Sequence, residues 1–111
     1  MIDISEIKPQ IVKSLQPLHP DKIILFGSYA YGTPDEESDI DLFLLKDDLD
    51  IADIKAYKLE LQKRLFKLQK KYLVGIDLFV DSTKRAQKRI KDVKDQFYSE
   101  IFQNGIVIYG K

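Results

Sequence analysis

Apolar residues near the start of the chain recur every three or four positions, as they do along one face of an amphipathic helix. They are Ile4, Ile7, Ile11, Leu15 and Leu18. Ser5 and Glu6 form a capping pair at the start of this predicted helix. Pro9 is then expected in its first turn, where a missing backbone N–H does least harm.

Two short apolar runs follow, and each predicts a strand. The first covers residues 22–26 and ends at Gly27-Ser28, after which residues 28–31 can form one helical turn before a Gly-Thr-Pro-Asp break. The second covers residues 39–45, where polar and apolar residues alternate at its start. Alternation places Asp39 and Asp41 on one side of the strand, and Ile40 on the other.

The second half of the chain predicts a long helix, a strand, a last helix and a short terminal strand. The long helix covers residues 51–72, and Gly75 opens a strand over residues 76–80. A strand, a helix and a strand in this order favour two neighbouring parallel strands. The last helix begins at Ser82 or Thr83 and ends at Asn104-Gly105, and residues 106–109 form the terminal strand. Its apolar stripe is Ala86, Ile90, Val93, Phe97 and Ile101.

These elements predict a single domain, residues 1–111, of the α/β (α+β) class, in which helices flank a small mixed sheet with three main strands. Gly27-Ser28 follows the first strand, whereas Asp39 and Asp77 lie near the beginnings of the second and third. These groups can meet only if the first strand runs antiparallel to the other two. Asp77 then faces the same side as Asp39 and Asp41.

Composition narrows the class of protein. The chain has no Cys, and neither a signal peptide nor an apolar run long enough to span a bilayer is apparent, so we expect a cytoplasmic protein without a membrane association. The formal net charge of zero conceals an asymmetry: residues 1–53 carry a net charge of −8, and residues 54–111 carry +8. Most of the basic side chains are expected on solvated helix faces, and direct nucleic-acid binding is not expected.

The three aspartates suggest metal chemistry. Carboxylates held close together repel one another and raise a pKa unless a cation lies between them. The chain offers no Cys and one His, so oxygen ligands and Mg²⁺ or Mn²⁺ fit this site better than zinc. Asp39, Asp41 and Asp77 are therefore the predicted catalytic and metal-binding residues.

Gly27 and Ser28 are the predicted nucleotide-binding residues. A glycine lets a phosphate approach the backbone, and a serine at a helix start can bind terminal phosphates. Two divalent ions can activate a hydroxyl that attacks the α-phosphorus of a nucleoside triphosphate and neutralise the pyrophosphate that leaves. Two carboxylates two residues apart and a third from the next strand could hold such a pair of ions.

The motifs Gly27-Ser28-Tyr29-Ala30-Tyr31-Gly32 and Ser38-Asp39-Ile40-Asp41-Leu42 resemble the signature of the DNA polymerase β-like nucleotidyltransferases. The short length, residues 76–79 and residues 104–110 resemble the minimal nucleotidyltransferases in particular. The resemblance implies a nucleotidyltransferase fold, triphosphate binding by the matching Gly and Ser, and Mg²⁺ binding by the matching three aspartates.

The resemblance also implies a biological role. Many minimal nucleotidyltransferases are antitoxins of a HEPN-domain RNase, and some inactivate that partner by transferring AMP from ATP to one of its tyrosines. Two alternatives remain open: an antitoxin that neutralises its partner by binding alone, and a nucleotidyltransferase for a small hydroxylated molecule. A chain of this length has little room for a dedicated acceptor pocket, which weakens the last alternative.

Overall fold

The computed structural model describes residues 2–110. Over this range the elements run in the order α1 (Ile4–Leu15), β1 (Lys22–Phe26), α2 (Ser28–Tyr31), β2 (Ile40–Leu45), α3 (Ile54–Tyr72), β3 (Ile76–Asp81), α4 (Thr83–Lys88), α5 (Gln96–Asn104) and β4 (Ile106–Gly110). Short 3₁₀ turns follow α1 (Gln16–Leu18) and precede α3 (Ile51–Asp53), and a π-helical turn follows α4 (Arg89–Val93).

The four strands form one mixed sheet in the order β3-β2-β1-β4. The central strand β1 runs antiparallel to both β2 and β4, whereas β2 and β3 are parallel. The predicted antiparallel first strand and the predicted parallel pair are therefore confirmed. The terminal strand β4 completes the sheet as a fourth member, beside the three main strands that the sequence predicts.

Side-chain alternation divides the core between the two faces of the sheet. On one face, Ile23 and Leu25 of β1 and Ile40, Leu42 and Leu44 of β2 pack against α1 and α3. On the other face, buried residues of the same strands pack against α4 and α5; these residues are Ile24, Phe26, Phe43 and Leu45. Asp41 falls between Ile40 and Leu42, so it shares the α4/α5 face with Phe43.

The start of α1 differs from the prediction. Asp3, not the Ser5-Glu6 pair, caps the helix: its side chain accepts a hydrogen bond from the backbone N–H of Ser5 at 3.0 Å. The helix begins at Ile4, so Pro9 lies inside it as the sixth residue rather than in the first turn. Buried Ile7 and Ile11 on either side of Pro9 anchor the helix and offset the missing backbone donor.

The predicted single last helix is wrong, because the helix is interrupted between α4 and α5. Lys94 takes a left-handed conformation (φ 55°), and Asp95 starts a new helix by accepting a hydrogen bond from the Tyr98 N–H at 3.2 Å. The Arg89 guanidinium bridges the break with two hydrogen bonds to Asp95, at 2.7 and 3.0 Å. Ser82 does cap α4, as predicted, by accepting from the Arg85 N–H.

A buried polar network attaches the broken segment to the sheet. Asp81, at the end of β3, accepts hydrogen bonds from the Arg85 Nε and from the Tyr98 hydroxyl, both at 2.8 Å. Arg85 also donates to the backbone carbonyl of Leu49 at 2.7 Å. Burial, followed by the hydrogen bond to Asp81, raises the pKa of Tyr98 to about 12, so this hydroxyl remains a donor at neutral pH. Asp81 thus joins α4 and α5 to β3.

None of the helices within residues 2–110 is both long enough and apolar enough to cross a bilayer.

Candidate functional site

The candidate site lies at the sheet edge where β1 ends and where β2 and β3 begin. Gly27-Ser28 directly follows β1, and Asp39 directly precedes β2. Asp41 is the second residue of β2 and Asp77 is the second residue of β3. The antiparallel direction of β1 brings all five predicted site residues to this one edge.

The sheet register fixes the relation between the carboxylates. Asp41 and Asp77 are direct partners in the parallel ladder of β2 and β3, so their Cα atoms are about 4.8 Å apart and their side chains leave the same face. Asp41 also pairs with Phe26 of β1. The predicted shared face of Asp41 and Asp77 is therefore observed.

Electrostatics mark Asp41 as the central group of the cluster. Burial, followed by repulsion from Asp77 and from Asp39, raises the pKa of Asp41 from its usual 3.8 to about 6. Asp39 and Asp77 are exposed, whereas Asp41 is only partly so. The field of the other two carboxylates thus disfavours a negative charge on Asp41, and a cation bound here would relieve that repulsion.

Gly27 and Gly75 leave space for the carboxylates of Asp41 and Asp39. A Cβ atom on Gly27 would overlap the carboxylate of Asp41, and a Cβ atom on Gly75 would overlap the carboxylate of Asp39. The Gly75 carbonyl also accepts a hydrogen bond from the Ile40 N–H at 2.9 Å. Each carboxylate therefore lies directly on the backbone of a neighbouring strand end.

The phosphate-binding candidate is the turn at Gly27. Gly27 has a φ of 74°, a backbone conformation that glycine adopts without strain, and its carbonyl accepts hydrogen bonds from the N–H groups of Ala30 and Tyr31. The turn places Ser28 at the first position of α2, where it is partly exposed. Tyr29 is buried (7% exposed) and packs in the core, whereas Tyr31 points towards solvent with 44% exposure.

Sequence reasoning missed three residues that shape the site. Gly75 is the first. The second is Asp35, the last residue of the predicted Gly-Thr-Pro-Asp break. Its carboxylate accepts from the Glu37 N–H at 2.9 Å and from the Ser38 hydroxyl at 3.2 Å, so it folds the segment just before Asp39. The spacing of Pro34-Asp35 and Ser38 is a turn signal that could have indicated this role.

The third missed residue is Gln69 of α3. Its side-chain carbonyl accepts a hydrogen bond from the Ile76 N–H at 2.9 Å, which fixes the start of β3 and hence the position of Asp77. No sequence motif marks this glutamine, because its role depends on where the C-terminal end of α3 lies against the sheet.

Aromatic rings line the core side of the carboxylates. Phe26, Phe79 and Phe97 form a trio with ring centroids 5.3 to 5.8 Å apart. Phe26 is the register partner of Asp41, and Phe79 follows Asp77 by two residues on the same side of β3. Phe26 is buried, whereas Phe79 and Phe97 are 38% and 45% exposed, so the trio lies on the same sheet face as the carboxylates and is partly open to solvent.

The donor set suits a hard divalent cation, because three carboxylates offer only oxygen ligands. Within the described part of the chain, no three acidic or histidine side chains stand grouped around one point as a ready metal site. Asp39 and Asp77 are exposed and Asp41 is partly exposed, so all three carboxylates are accessible from solvent. The chemistry of this donor set suits Mg²⁺ or Mn²⁺.

Comparison with known proteins identifies the family. A profile of the nucleotidyltransferase domain matches residues 5–101. The chain belongs to this family. It is a nucleotidyltransferase enzyme, and the nucleotidyltransferase fold expected from the sequence is confirmed.

Two relatives of this nucleotidyltransferase come from Methanocaldococcus jannaschii, and both are provisionally named protein adenylyltransferases. One is 27% identical over 110 residues, which cover 96% of this chain and 100% of the relative. The other is 39% identical over 89 residues, which cover 79% of this chain and 77% of the relative.

Two solved structures share the fold of this nucleotidyltransferase. One is a toxin–antitoxin complex with AMP-PNP, with a TM-score of 0.56 and 26% identity over 94% of this chain and 73% of the other. The second is a variant of the toxin–antitoxin pair MntA–HpeT that carries two Asp-to-Glu substitutions. Its TM-score is 0.57, and its identity of 26% applies to the same 94% and 73% of the two chains.

Proposed function

We propose that this nucleotidyltransferase transfers AMP from ATP to a tyrosine of a HEPN-domain RNase toxin in the cytoplasm and thereby acts as its antitoxin. The observation that carries the proposal is the convergence of Asp39, Asp41 and Asp77 beside the Gly27-Ser28 turn at one sheet edge. The proposal places the complete site in one domain, residues 1–111.

In the proposed complex, the nucleotide and the acceptor lie in a row that crosses the strands. The turn at Gly27 is on β1, Asp41 is on the adjacent β2, and Asp77 is on β3. In our proposal Gly27 and Ser28 hold the β- and γ-phosphates, and Asp39 and Asp41 face the α-phosphate. The acceptor hydroxyl approaches from the Asp77 side.

The reaction joins the acceptor oxygen to the α-phosphorus, releases the hydroxyl proton to solvent, and breaks the bond between the α-phosphorus and the oxygen that bridges it to the β-phosphorus, so that pyrophosphate leaves. Mg²⁺ held by Asp39, Asp41 and Asp77 would supply charge neutralisation for pyrophosphate and lower the pKa of the acceptor hydroxyl. The chain itself aligns phosphate and acceptor.

The relatives support the choice of donor and acceptor. The two relatives from Methanocaldococcus jannaschii carry the name protein adenylyltransferase, which favours AMP as the group and a protein as the acceptor. The structural neighbours are toxin–antitoxin complexes, and one holds AMP-PNP, a non-hydrolysable analogue of ATP. ATP and a toxin partner are therefore the first substrates to test.

The experiment incubates the protein with ATP, Mg²⁺ and a HEPN protein, taken from the neighbouring gene if that gene encodes one. We expect intact-mass spectrometry to show the addition of adenylyl groups to the partner and fragmentation to place them on tyrosine. The RNase should remain inactive after this protein is removed, because a covalent adduct does not dissociate by mass action. Asp39→Asn with Asp41→Asn should abolish the modification.

A charge-matched control separates chemistry from a general loss of negative charge. Asp50 and Asp53 are exposed and provide no side-chain cap to the turn or helix that they precede. Asp50→Asn with Asp53→Asn should therefore transfer AMP like the wild type. If the Asp39/Asp41 variant fully neutralises the toxin and the toxin gains no mass, the protein acts as an antitoxin by binding alone. Transfer of AMP only to a small hydroxylated molecule would favour the other alternative.

A further inference from the structure

A line of exposed apolar side chains runs along the outer face of α3. Leu59, Phe66 and Leu73 are seven residues apart and are 51%, 57% and 91% exposed. The buried residues of α3, namely Leu61, Leu65 and Leu68, lie on the opposite side. At 1.5 Å per residue the line is about 21 Å long. We call Leu59, Phe66 and Leu73 the α3 stripe.

Leu73 is costly to the isolated protein in two ways. It ends α3 in a left-handed conformation (φ 52°), where helices usually place glycine because a Cβ atom is strained there. Its side chain is also almost fully in water. Neither packing nor local geometry explains a leucine at this position, whereas contact with another molecule would.

The α3 stripe ends at the candidate site. Leu73 lines an open cleft together with Tyr29, Asp39 and Gly75. Asp39 itself lies against Gly75, at the start of β3. Whatever covers the stripe therefore extends to the edge where the acceptor hydroxyl must arrive.

The charge of α3 indicates the chemistry of the partner. The helix carries seven Lys or Arg residues and one Glu. By helical position Lys63 and Lys70 lie on one side of the stripe and Lys58 lies on the other. The Lys63 ammonium pairs with Glu60 at 3.2 Å, and the Lys70 ammonium lies 5.2 Å from the centre of the Phe66 ring. A second copy of this helix would bring like charges together, which opposes self-association. Acidic side chains on each side of an apolar line would complement this surface.

We infer that the α3 stripe docks an amphipathic helix of the protein acceptor, with an apolar line of its own and acidic flanks. This inference rests on the proposed function, since it assigns the surface that receives the toxin. Three apolar side chains at seven-residue spacing match a helix laid along α3, as in helix pairs with heptad repeats. Phosphates of a nucleic acid would engage the lysines but leave Leu59 and Leu73 exposed.

The test uses isothermal titration calorimetry to measure binding of the same HEPN protein that serves as acceptor in the transfer experiment. We expect Leu59→Ser with Phe66→Ser to weaken binding at least tenfold. The matched control is Ile51→Ser with Val93→Ser, which removes two side chains of 73% and 63% exposure outside α3 and should bind like the wild type.

Two further variants test the remaining features. Leu73→Gly should weaken binding while the melting temperature stays equal or rises, so lost affinity cannot be attributed to unfolding. Lys63→Glu with Lys70→Glu should weaken binding more at low salt than at high salt. Lys8→Glu with Lys13→Glu on α1 changes the net charge equally and should bind like the wild type.

The outcomes separate this inference from the proposed function. If the stripe variants bind the toxin as tightly as the wild type, the inference is overturned, even where AMP transfer is observed. Stripe-dependent binding without AMP transfer supports the inference and contradicts the proposed catalysis. No binding by the wild type overturns both. A wild-type dimer that the Leu59/Phe66 variant converts to monomers, or stripe-dependent binding of a labelled single-stranded RNA without stripe-dependent toxin binding, overturns the inference.

Discussion

At the scale of single residues, the site depends on atoms that are absent as well as on those present. Gly27 and Gly75 lack the Cβ atoms that would occupy the positions of the Asp41 and Asp39 carboxylates. The two positions differ in one respect: Gly27 has a positive φ, whereas Gly75 does not. Substitution at Gly75 therefore tests the carboxylate position without backbone strain.

We expect Gly75→Ala to lower AMP transfer with little change in melting temperature, because the exposed Asp39 side chain can move aside. Gly27→Ala should lower both, since strain at this backbone conformation costs roughly 1–3 kcal/mol. Gly32→Ala is the control: Gly32 also has a positive φ, but a Cβ atom there has nothing within 4 Å. It should lose stability without displacing a site carboxylate. AMP-transfer assays and thermal melts measure these two effects. Full activity in Gly75→Ala would contradict the proposed role of Asp39.

The raised pKa of Asp41 gives a stability prediction with a definite sign. A carboxyl whose pKa is about 6 in the folded protein and near 3.8 in the unfolded chain binds more protons when folded, so stability falls as pH rises from about 4 to 6. Asp41→Asn removes this loss. Without metal, the variant should match the wild type near pH 4 and be more stable at pH 7, by up to about 1 kcal/mol because the carboxylate is partly solvated.

Thermal melts over this pH range, with and without Mg²⁺ and nucleotide, provide the measurement. Ligand should stabilise the wild type and leave Asp41→Asn unchanged. A variant that is less stable than the wild type at pH 7 would show that Asp41 is not repelled by its neighbours.

The five predicted site residues meet because simple rules govern them. Alternation along a strand fixes the side on which Asp41 and Asp77 lie, and the order of strands follows from the crossover through α3. Asp35 also follows a local rule, the turn signal of Pro34-Asp35 and Ser38. Gly75 and Gln69 follow none: both act on a neighbouring strand, and their role depends on register and on the packing of α3, which the sequence does not display.

At the scale of elements, the break between α4 and α5 is where the predicted pattern fails. The apolar stripe that predicts one helix includes Val93, which is 63% exposed. Lysine, unlike glycine, rarely adopts a left-handed backbone conformation, so the conformation of Lys94 could not be anticipated from the sequence. The hydrogen bonds of Asp95 to Arg89 and to the Tyr98 backbone offset the cost of the break. Asp is a residue type that commonly caps helices, but the apolar pattern that runs through position 95 predicts a continuous helix.

We expect Lys94→Gly to leave the break in place and to raise the free energy of unfolding by between zero and about 1.5 kcal/mol. Relief of left-handed strain contributes roughly 1–2 kcal/mol. The greater freedom of glycine in the unfolded chain opposes this by about 0.5–1 kcal/mol. Urea unfolding monitored by circular dichroism measures the balance, with Lys91→Gly, inside the π-helical turn, as the destabilised control. A loss of stability in Lys94→Gly would mean that the Lys94 side chain itself supports the break.

At the scale of the whole molecule, the sheet order β3-β2-β1-β4 explains why the site lies at an edge and not over a face. Only the antiparallel β1 brings a strand end to the strand beginnings of β2 and β3. The class of fold was predictable, because short apolar runs, alternation and one strand-helix-strand unit leave few topologies. The side on which β4 pairs was not, since its exposed Ile106 and Val107 carry no directional signal.

A chain ended at Asn104 tests how much the sheet depends on β4. Without β4, the backbone groups of Lys22–Leu25 that now pair with it form an open edge on the central strand. We expect such a variant to aggregate, because an unpaired strand with buried apolar residues readily pairs with other chains. Light scattering and size-exclusion chromatography measure this. A monomeric, active variant would show that β1 and its two remaining neighbours are sufficient.

The pairing of β1 with β4 can form only late in synthesis. β1 ends at Phe26 and β4 begins at Ile106, so the ribosome adds residues 27–105 before the second partner of β1 is made. At roughly 5 to 20 residues per second this interval lasts about 4 to 16 s. Throughout it the nascent chain exposes one edge of its central strand to chaperones and to neighbouring nascent chains. β1 therefore gains its second partner only after β4 has left the exit tunnel.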